Sequence, residues 1–237
     1  MNSRRANRDA KFWDRLAKKY AAAPIEDMRG YEATLKAVSE RLSVDHDVLE
    51  IGCGTGTTAL RLAHMVQNYL ATDPSPGMIA IAQQKLVCEP TTGLLFETGE
   101  PVSAGWPAES VDTVLAFNVL HLVPSLPETI RAVHGLLKPG GLLISKTPCL
   151  GMMNPLIRVA IPLMKAVGKA PTVNILRPAA LEESFEQAGF EVVERAWHST
   201  QGEDTRPYFV AKKSGGTEAS RVLNPPPPDS QGHEANT

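Results

Sequence analysis

Three glycines at alternate positions, Gly52, Gly54 and Gly56, follow Glu50 at the end of a short β-branched run, Asp47-Val48-Leu49-Glu50-Ile51. Glycine lets a chain turn sharply out of a strand and lets the backbone approach a ligand with no Cβ in the way. A helix that begins there offers unpaired N–H groups to an anionic group. The acid beside the turn suits a ligand that carries an ammonium group as well as a carboxylate. Cys53 and Thr55 fill the positions between the glycines, Cys53 as a small packing residue rather than a nucleophile. A purely structural strand-to-helix turn would want the same glycines. Three more polar positions stand where apolar runs end. Asp73, after Tyr69-Leu70-Ala71-Thr72, can accept both hydroxyls of a ribose or cap the helix that starts at Pro74-Ser75-Pro76. Glu100, past Leu94–Phe96, can accept from the exocyclic amino group of a purine or be a solvated loop acid. Asn118 and then His121 follow Val111–Phe117. There His121 could act as a general base, or merely cap or pack.

These positions need a scaffold that brings strand ends together. Ala59, Leu62, Ala63 and Val66 predict a helix after the glycines. Met78, Ile79, Ala82 and Leu86 predict a second, and Leu126, Ile130, Val133 and Leu137 a third. Lys138-Pro139-Gly140-Gly141 reads as a helix stop and tight turn before a strand at Leu142–Ser145. Pro178–Ala188 predicts a further helix, and Phe190–Val193 and Tyr208–Ala211 two last strands. The alternation implies an α/β, Rossmann-like doubly wound sheet of seven strands. It is mostly parallel, and the last two strands, which have no helix between them, pair antiparallel at one edge. Ligands bind such a sheet beyond its carboxyl strand ends, where strand order reverses.

With those residues in place, the run Val48-Leu-Glu-Ile-Gly-Cys-Gly-Thr-Gly56 resembles the first motif of the class I S-adenosylmethionine-dependent methyltransferases. Ala71–Ile79, Gly99–Asp112, Phe117–Leu122 and Leu137–Leu142 resemble that family's further segments in its order. Phe12-Trp13-Asp14 with Tyr20 is similar to the N-terminal helix of its small-molecule subgroup, whose aromatic residue closes over the cofactor. The resemblance implies S-adenosyl-L-methionine as cofactor. Gly52, Cys53, Gly54, Thr55 and Gly56 would form the methionine-side loop, with Glu50 near the ammonium group. Asp73 and Pro74 would lie by the ribose with Met78 packed nearby, Glu100 and Pro101 by the adenine, and Asn118 by the methionine or the acceptor pocket. The family often has Asp at the position of Glu100, and Leu-Pro-Phe where this chain has Ala104-Gly105-Trp106. The implied activity is methyl transfer to a small, apolar or aromatic acceptor. His121 is the candidate base, and Tyr20 either shields the sulfonium by cation–π attraction or simply packs. By resemblance to quinone and lipid methyltransferases, residues 148–177 would cap the acceptor side, although core packing also accounts for their apolar character. A non-enzymatic cofactor- or partner-binding protein is the competing reading.

Composition narrows the field. The chain has 237 residues, a formal net charge of -2 and 43% hydrophobic residues, values that suit one large domain and argue against nucleic acid held by bulk positive charge. Nor does an Asn/Asp-Pro-Pro-Tyr/Phe tetrad follow the fourth strand. Its three cysteines and scattered histidines have neither disulfide-framework nor metal-ligand spacing. A nicotinamide dinucleotide fingerprint would need glycine at position 57, where Thr57 stands. Leu150–Val167 is apolar, but Arg158, Lys165, Pro155 and Pro162 interrupt it, so a membrane span is not expected. A lipid-touching surface stays open there. The domain is expected over 1–213, with a disordered, proline-rich tail over 214–237 and a cytoplasmic location.

Overall fold

The computed structural model describes residues 2–100, 107–153, 164, 170–202 and 204–215. Pro101, Ala104-Gly105-Trp106, most of the expected cap and the tail from residue 216 lie outside them. Seven strands form one sheet: β1 (Asp47–Ile51), β2 (Asn68–Asp73), β3 (Leu94–Thr98), β4 (Val111–Phe117), β5 (Leu137–Lys146), β6 (Phe190–Ala196) and β7 (Tyr208–Lys213). Their order is β3-β2-β1-β4-β5-β7-β6. Strand order therefore reverses between β1 and β4, which opens a crevice above their carboxyl ends. The first five strands are mutually parallel. The last two pair antiparallel as expected, and β7 is also antiparallel to β5. The reversed strand is thus β7, one place in, while β6 forms the edge. The crossover from β5 to β6 leaves a gap one strand wide, and the helix-free link 197–207 can only return the chain antiparallel into it.

Alternation along the central strands divides the core. Leu49, Ile51, Val114, Leu143 and Phe209 face one side and meet Ile130 and Val133 of α5 (Leu126–Leu136) and Leu181 and Phe185 of α6 (Pro178–Gln187). Val48, Leu115, Ile144 and Val210 face the other, against Leu35 and Val38 of α2 (Met28–Ser39), Ala59 and Leu62 of α3 (Thr57–Leu62), and Ile79 and Ala82 of α4 (Pro76–Cys88). Four of those five helices have the expected positions. α2 was not foreseen, although Asp27 caps it by accepting from Gly30 N at 2.9 Å.

Two local expectations need correcting. Lys138–Gly141 is not a turn ahead of a strand, because β5 already begins at Leu137. Its register against β4 jumps from Val111↔Leu137 to Thr113↔Leu142. The extra residues bulge outward, pinned where Lys138 Nζ meets Asp112 at 2.7 Å. The helix after the glycines stops at Leu62, and a 3-10 turn over Ala63–Met65 follows. Val66 is extended because the chain must enter β2 two residues later.

The N-terminal helix α1 (Asn2–Ala22) lies over the carboxyl ends of the strands. Asp14 fastens it: Oδ1 accepts from Ser75 Oγ at 2.6 Å and from Gly77 N at 2.8 Å, at the start of α4. Opposite, the extended stretch 170–177 crosses toward β4. Asn174 N donates to His121 O at 2.7 Å, and Thr172 N donates to Asp9 of α1 at 3.2 Å. No helix among the described residues is long and apolar enough to cross a membrane.

Candidate active site

A cavity of about 350 Å³ opens above the switch point. Asp9, Ala10, Trp13 and Tyr20 of α1 cover it, and Gly52, Gly54, Asp73, Pro74, Met78 and Glu100 line it from the ends of β1, β2 and β3 and the start of α4. Asn118, Val119, His121, Leu122, Val123, Pro124, Pro148 and Arg206 line it from past the ends of β4 and β5 and from just ahead of β7. The site residues expected from sequence that reach it are therefore Tyr20, Gly52, Gly54, Asp73, Pro74, Met78, Glu100, Asn118 and His121.

The glycine loop is built by distributed contacts. All three glycines have positive φ, but they differ in what a side chain would meet. At Gly56 a Cβ would lie 2.6 Å from the Phe96 ring, so this glycine lets the loop pack on β3. At Gly54 the nearest group is the edge of Tyr20 at 3.8 Å, so backbone is presented to the cavity. Cys53, Thr55 and Gly56 do not line the cavity. Cys53 N donates to Thr72 O at 2.9 Å. Lys85 of α4 donates to Thr55 O and Thr57 Oγ1 at 3.0 and 3.1 Å, lacing the loop down.

Two carboxyls set the electrostatics. Glu50 is buried behind the loop rather than on the cavity wall, and its Oε2 accepts from the Tyr69 hydroxyl at 2.8 Å. Burial, followed by the negative charge of Asp73, pushes it up to about 7. Asp73 faces the cavity, with Oδ2 accepting from Gly54 N at 3.0 Å and Oδ1 from Ser75 N at 2.9 Å. Burial raises it to about 6 against those two hydrogen bonds. Just past β4, Asn118 takes the left-handed conformation (φ 53) that asparagine tolerates, which turns the chain off the strand toward the cavity. His121 Nδ1 is buried and has no hydrogen-bond partner among the described residues. Burial lowers His121 to about 4, so it is neutral at pH 7.

A methyltransferase-domain family model matches residues 12–195. The chain belongs to that family. It is a class I S-adenosylmethionine-dependent methyltransferase. A highly reducing polyketide synthase, calA of Penicillium decumbens, is 36% identical over 106 residues, which are 41% of this chain and 4% of that protein. The chain thus spans only a few per cent of the length of such relatives. Among solved structures, an S-adenosylmethionine-dependent methyltransferase from Mesorhizobium loti superposes with TM-score 0.65 at 18% identity, covering 78% of this chain and 98% of that one. The CurJ carbon methyltransferase superposes with TM-score 0.57 at 22% identity, covering 73% and 50%. At such identities the two structures speak for the fold.

The methyltransferase cavity fits its cofactor. A carboxylate offers about four lone-pair sites, so Asp73 can hold Gly54 and Ser75 and still accept from a ribose. The exposed backbone at Gly54 leaves room for close approach, and Asp73, Glu100 and the nearby Glu50 suit a ligand carrying a sulfonium and an ammonium. Trp13 and Tyr20 stand edge to face at 6.2 Å on the covering helix. Sequence reasoning missed Tyr69, Lys85 and Arg206. Asp14 stood inside the quoted Phe-Trp-Asp run, but nothing in that run signalled its bond to Ser75.

Proposed function

We propose that this methyltransferase acts on a small apolar acceptor bearing an acidic proton, on an enolisable carbon or a phenol oxygen, and that His121 takes up the proton. One observation carries the reading: a neutral imidazole held among Val119, Leu122, Val123 and Pro124 on the cavity wall. S-adenosylmethionine supplies an electrophilic methyl group on a sulfonium. The chain's share is to hold the acceptor in line, keep water out and receive the proton, and positioning of this kind supplies about 7–11 kcal/mol of barrier lowering. The polyketide relative and the carbon methyltransferase structure support a carbonyl-activated carbon over the quinone or lipid acceptor implied by the family resemblance. Asp73, Gly52 and Gly54 would hold the cofactor, Tyr20 would shield it, and Pro148 with the 170–177 stretch would close the acceptor side.

The test is turnover with matched acceptors after calorimetry has established S-adenosylmethionine binding. His121→Gln should slow methylation of a 1,3-dicarbonyl compound or a phenol by about 10²–10⁴-fold, the usual contribution of a positioned base. It should spare a thiolate or an unprotonated tertiary amine, which has no proton to lose. Equal loss on both kinds would assign His121 to structure and overturn the proposal.

A further inference from the structure

Among the described charged residues of the cavity wall, Asp9, Asp73 and Glu100 are acids and Arg206 alone is basic. Arg206 stands in the extended stretch 204–207 just ahead of β7. From the strand that ends in Asp73 to β7 the sheet runs β2-β1-β4-β5-β7. Four spacings of about 4.8 Å place the two ends roughly 19 Å apart. Arg206 thus lies beyond the switch point from the ribose-side acid, on the side of Pro148 and His121.

Its loop is shaped by Asp204, whose carboxylate is almost wholly buried. Oδ2 accepts from His198 N and Ser199 N at 3.2 and 2.9 Å, and Oδ1 accepts from Arg206 N at 2.9 Å. That carboxylate is engaged by backbone, and Arg206 Nε reaches it only at 4.0 Å. No described group hydrogen-bonds to the outer guanidinium nitrogens. A guanidinium fork matches the two oxygens of a carboxylate or phosphate.

We propose that Arg206 recognises an anionic group on the acceptor, a carboxylate or a phosphate, and so selects apolar molecules with an acidic-proton centre at one end and an anion at the other. This rests on the acceptor reading above, since it assigns the part of the cavity lined by Pro148 and His121 to the acceptor.

Calorimetry on the full chain saturated with S-adenosylhomocysteine tests it with three probes: hydroxyphenylbutyrate, its methyl ester, and the phosphate monoester of hydroxyphenylbutanol. The protein should bind at least one anionic probe about tenfold to a hundredfold tighter than the ester, the range for a hydrogen bond to a charged group. The carboxylate and phosphate arms tell which anion is preferred. Arg206→Gln should erase the preference and Arg206→Lys should keep part of it, with S-adenosylhomocysteine affinity unchanged in both. The proposal is overturned if the ester binds as well as both anions, if none of the three binds, or if the preference survives in Arg206→Gln. Loss of S-adenosylhomocysteine affinity in Arg206→Gln also overturns it and gives the residue to the cofactor carboxylate. Failure of the His121 reading shows separately, as unchanged phenol methylation in His121→Gln while the anion preference persists.

Discussion

Asp73 shows how one side chain can shape a loop and still face the cavity. Its two oxygens hold Gly54 N and Ser75 N, so the shape of the glycine loop and the start of α4 depend on the same carboxylate that faces the cavity. Asparagine is not conservative here, because its amide would put a donor against one of those N–H groups. Asp73→Asn and Asp73→Ala should each weaken S-adenosylmethionine binding about tenfold to a hundredfold by calorimetry; unchanged affinity would remove Asp73 from the ribose. His121 makes a prediction of a different kind. Burial lowers it to about 4 in the fold, whereas the unfolded chain takes up its proton near 6.5. Between those values the unfolded state binds more protons, so this residue's contribution to stability falls as pH falls from about 6.5 toward 4. His121→Gln removes that slope. Denaturant midpoints of the two proteins should therefore shift in favour of the variant at pH 5 relative to pH 7.5, and a pH-independent difference would contradict the burial that keeps His121 neutral.

The elements that carry the site were legible in the sequence wherever the signal was local. β1 and β4 run into Gly52 and Asn118, and β2 ends at Asp73, where strand-like runs meet residues suited to turns, and all three residues line the cavity. What escaped was whatever depends on partners remote in the chain. Asp14 lies 61 residues from Ser75, Lys85 lies 30 from Thr55, and Asp27 lies 173 from Thr200. A side chain at such a join has no periodicity of its own to betray it. The bulge in β5 was misread for the same reason: Pro139-Gly140-Gly141 turns the chain, but only pairing with β4 across Val111 and Thr113 makes the turn an excursion within a strand. The joint between α1 and α4 gives the prediction at this scale. Asp14 is the acceptor for both Ser75 Oγ and Gly77 N, so Asp14→Ala leaves α1 packed on the cavity without that fastening. Trypsin should then cut at Lys18 and Lys19 several-fold faster, since cleavage follows the population of the opened helix. Saturating S-adenosylmethionine should restore protection by binding the closed form. Unchanged cleavage would mean that Trp13 and Ala17 hold the helix without the carboxylate.

Across the whole molecule, the sheet order places Glu50, Asp73 and Glu100 by the ends of β1 to β3, and a neutral imidazole and a guanidinium by β4 and β7. Two of those carboxyls resist ionisation because they are buried. Glu50 and Asp73 lie beside each other under little solvent, and burial is the leading cause of their rise to about 7 and about 6. At pH 6.5 a fraction of each is therefore protonated. A sulfonium and an ammonium brought beside them favour the ionised carboxylates, which lowers their pKa values and expels protons. Binding of S-adenosylmethionine at pH 6.5 should accordingly release a measurable fraction of a proton, read as the slope of calorimetric enthalpy against buffer ionisation enthalpy. S-adenosylhomocysteine has the same ammonium and carboxylate but a neutral sulfur, so it should release fewer. Glu50→Gln, which keeps an acceptor for the Tyr69 hydroxyl and deletes the titrating group, should shrink the difference between the two ligands. Proton uptake on binding, or equal release for both ligands in the unaltered protein, would mean that the sulfonium lies too far from Glu50 and Asp73 to be stabilised by them. These acids would then serve the ribose and the loop, and cation recognition would fall to the aromatic rings of α1.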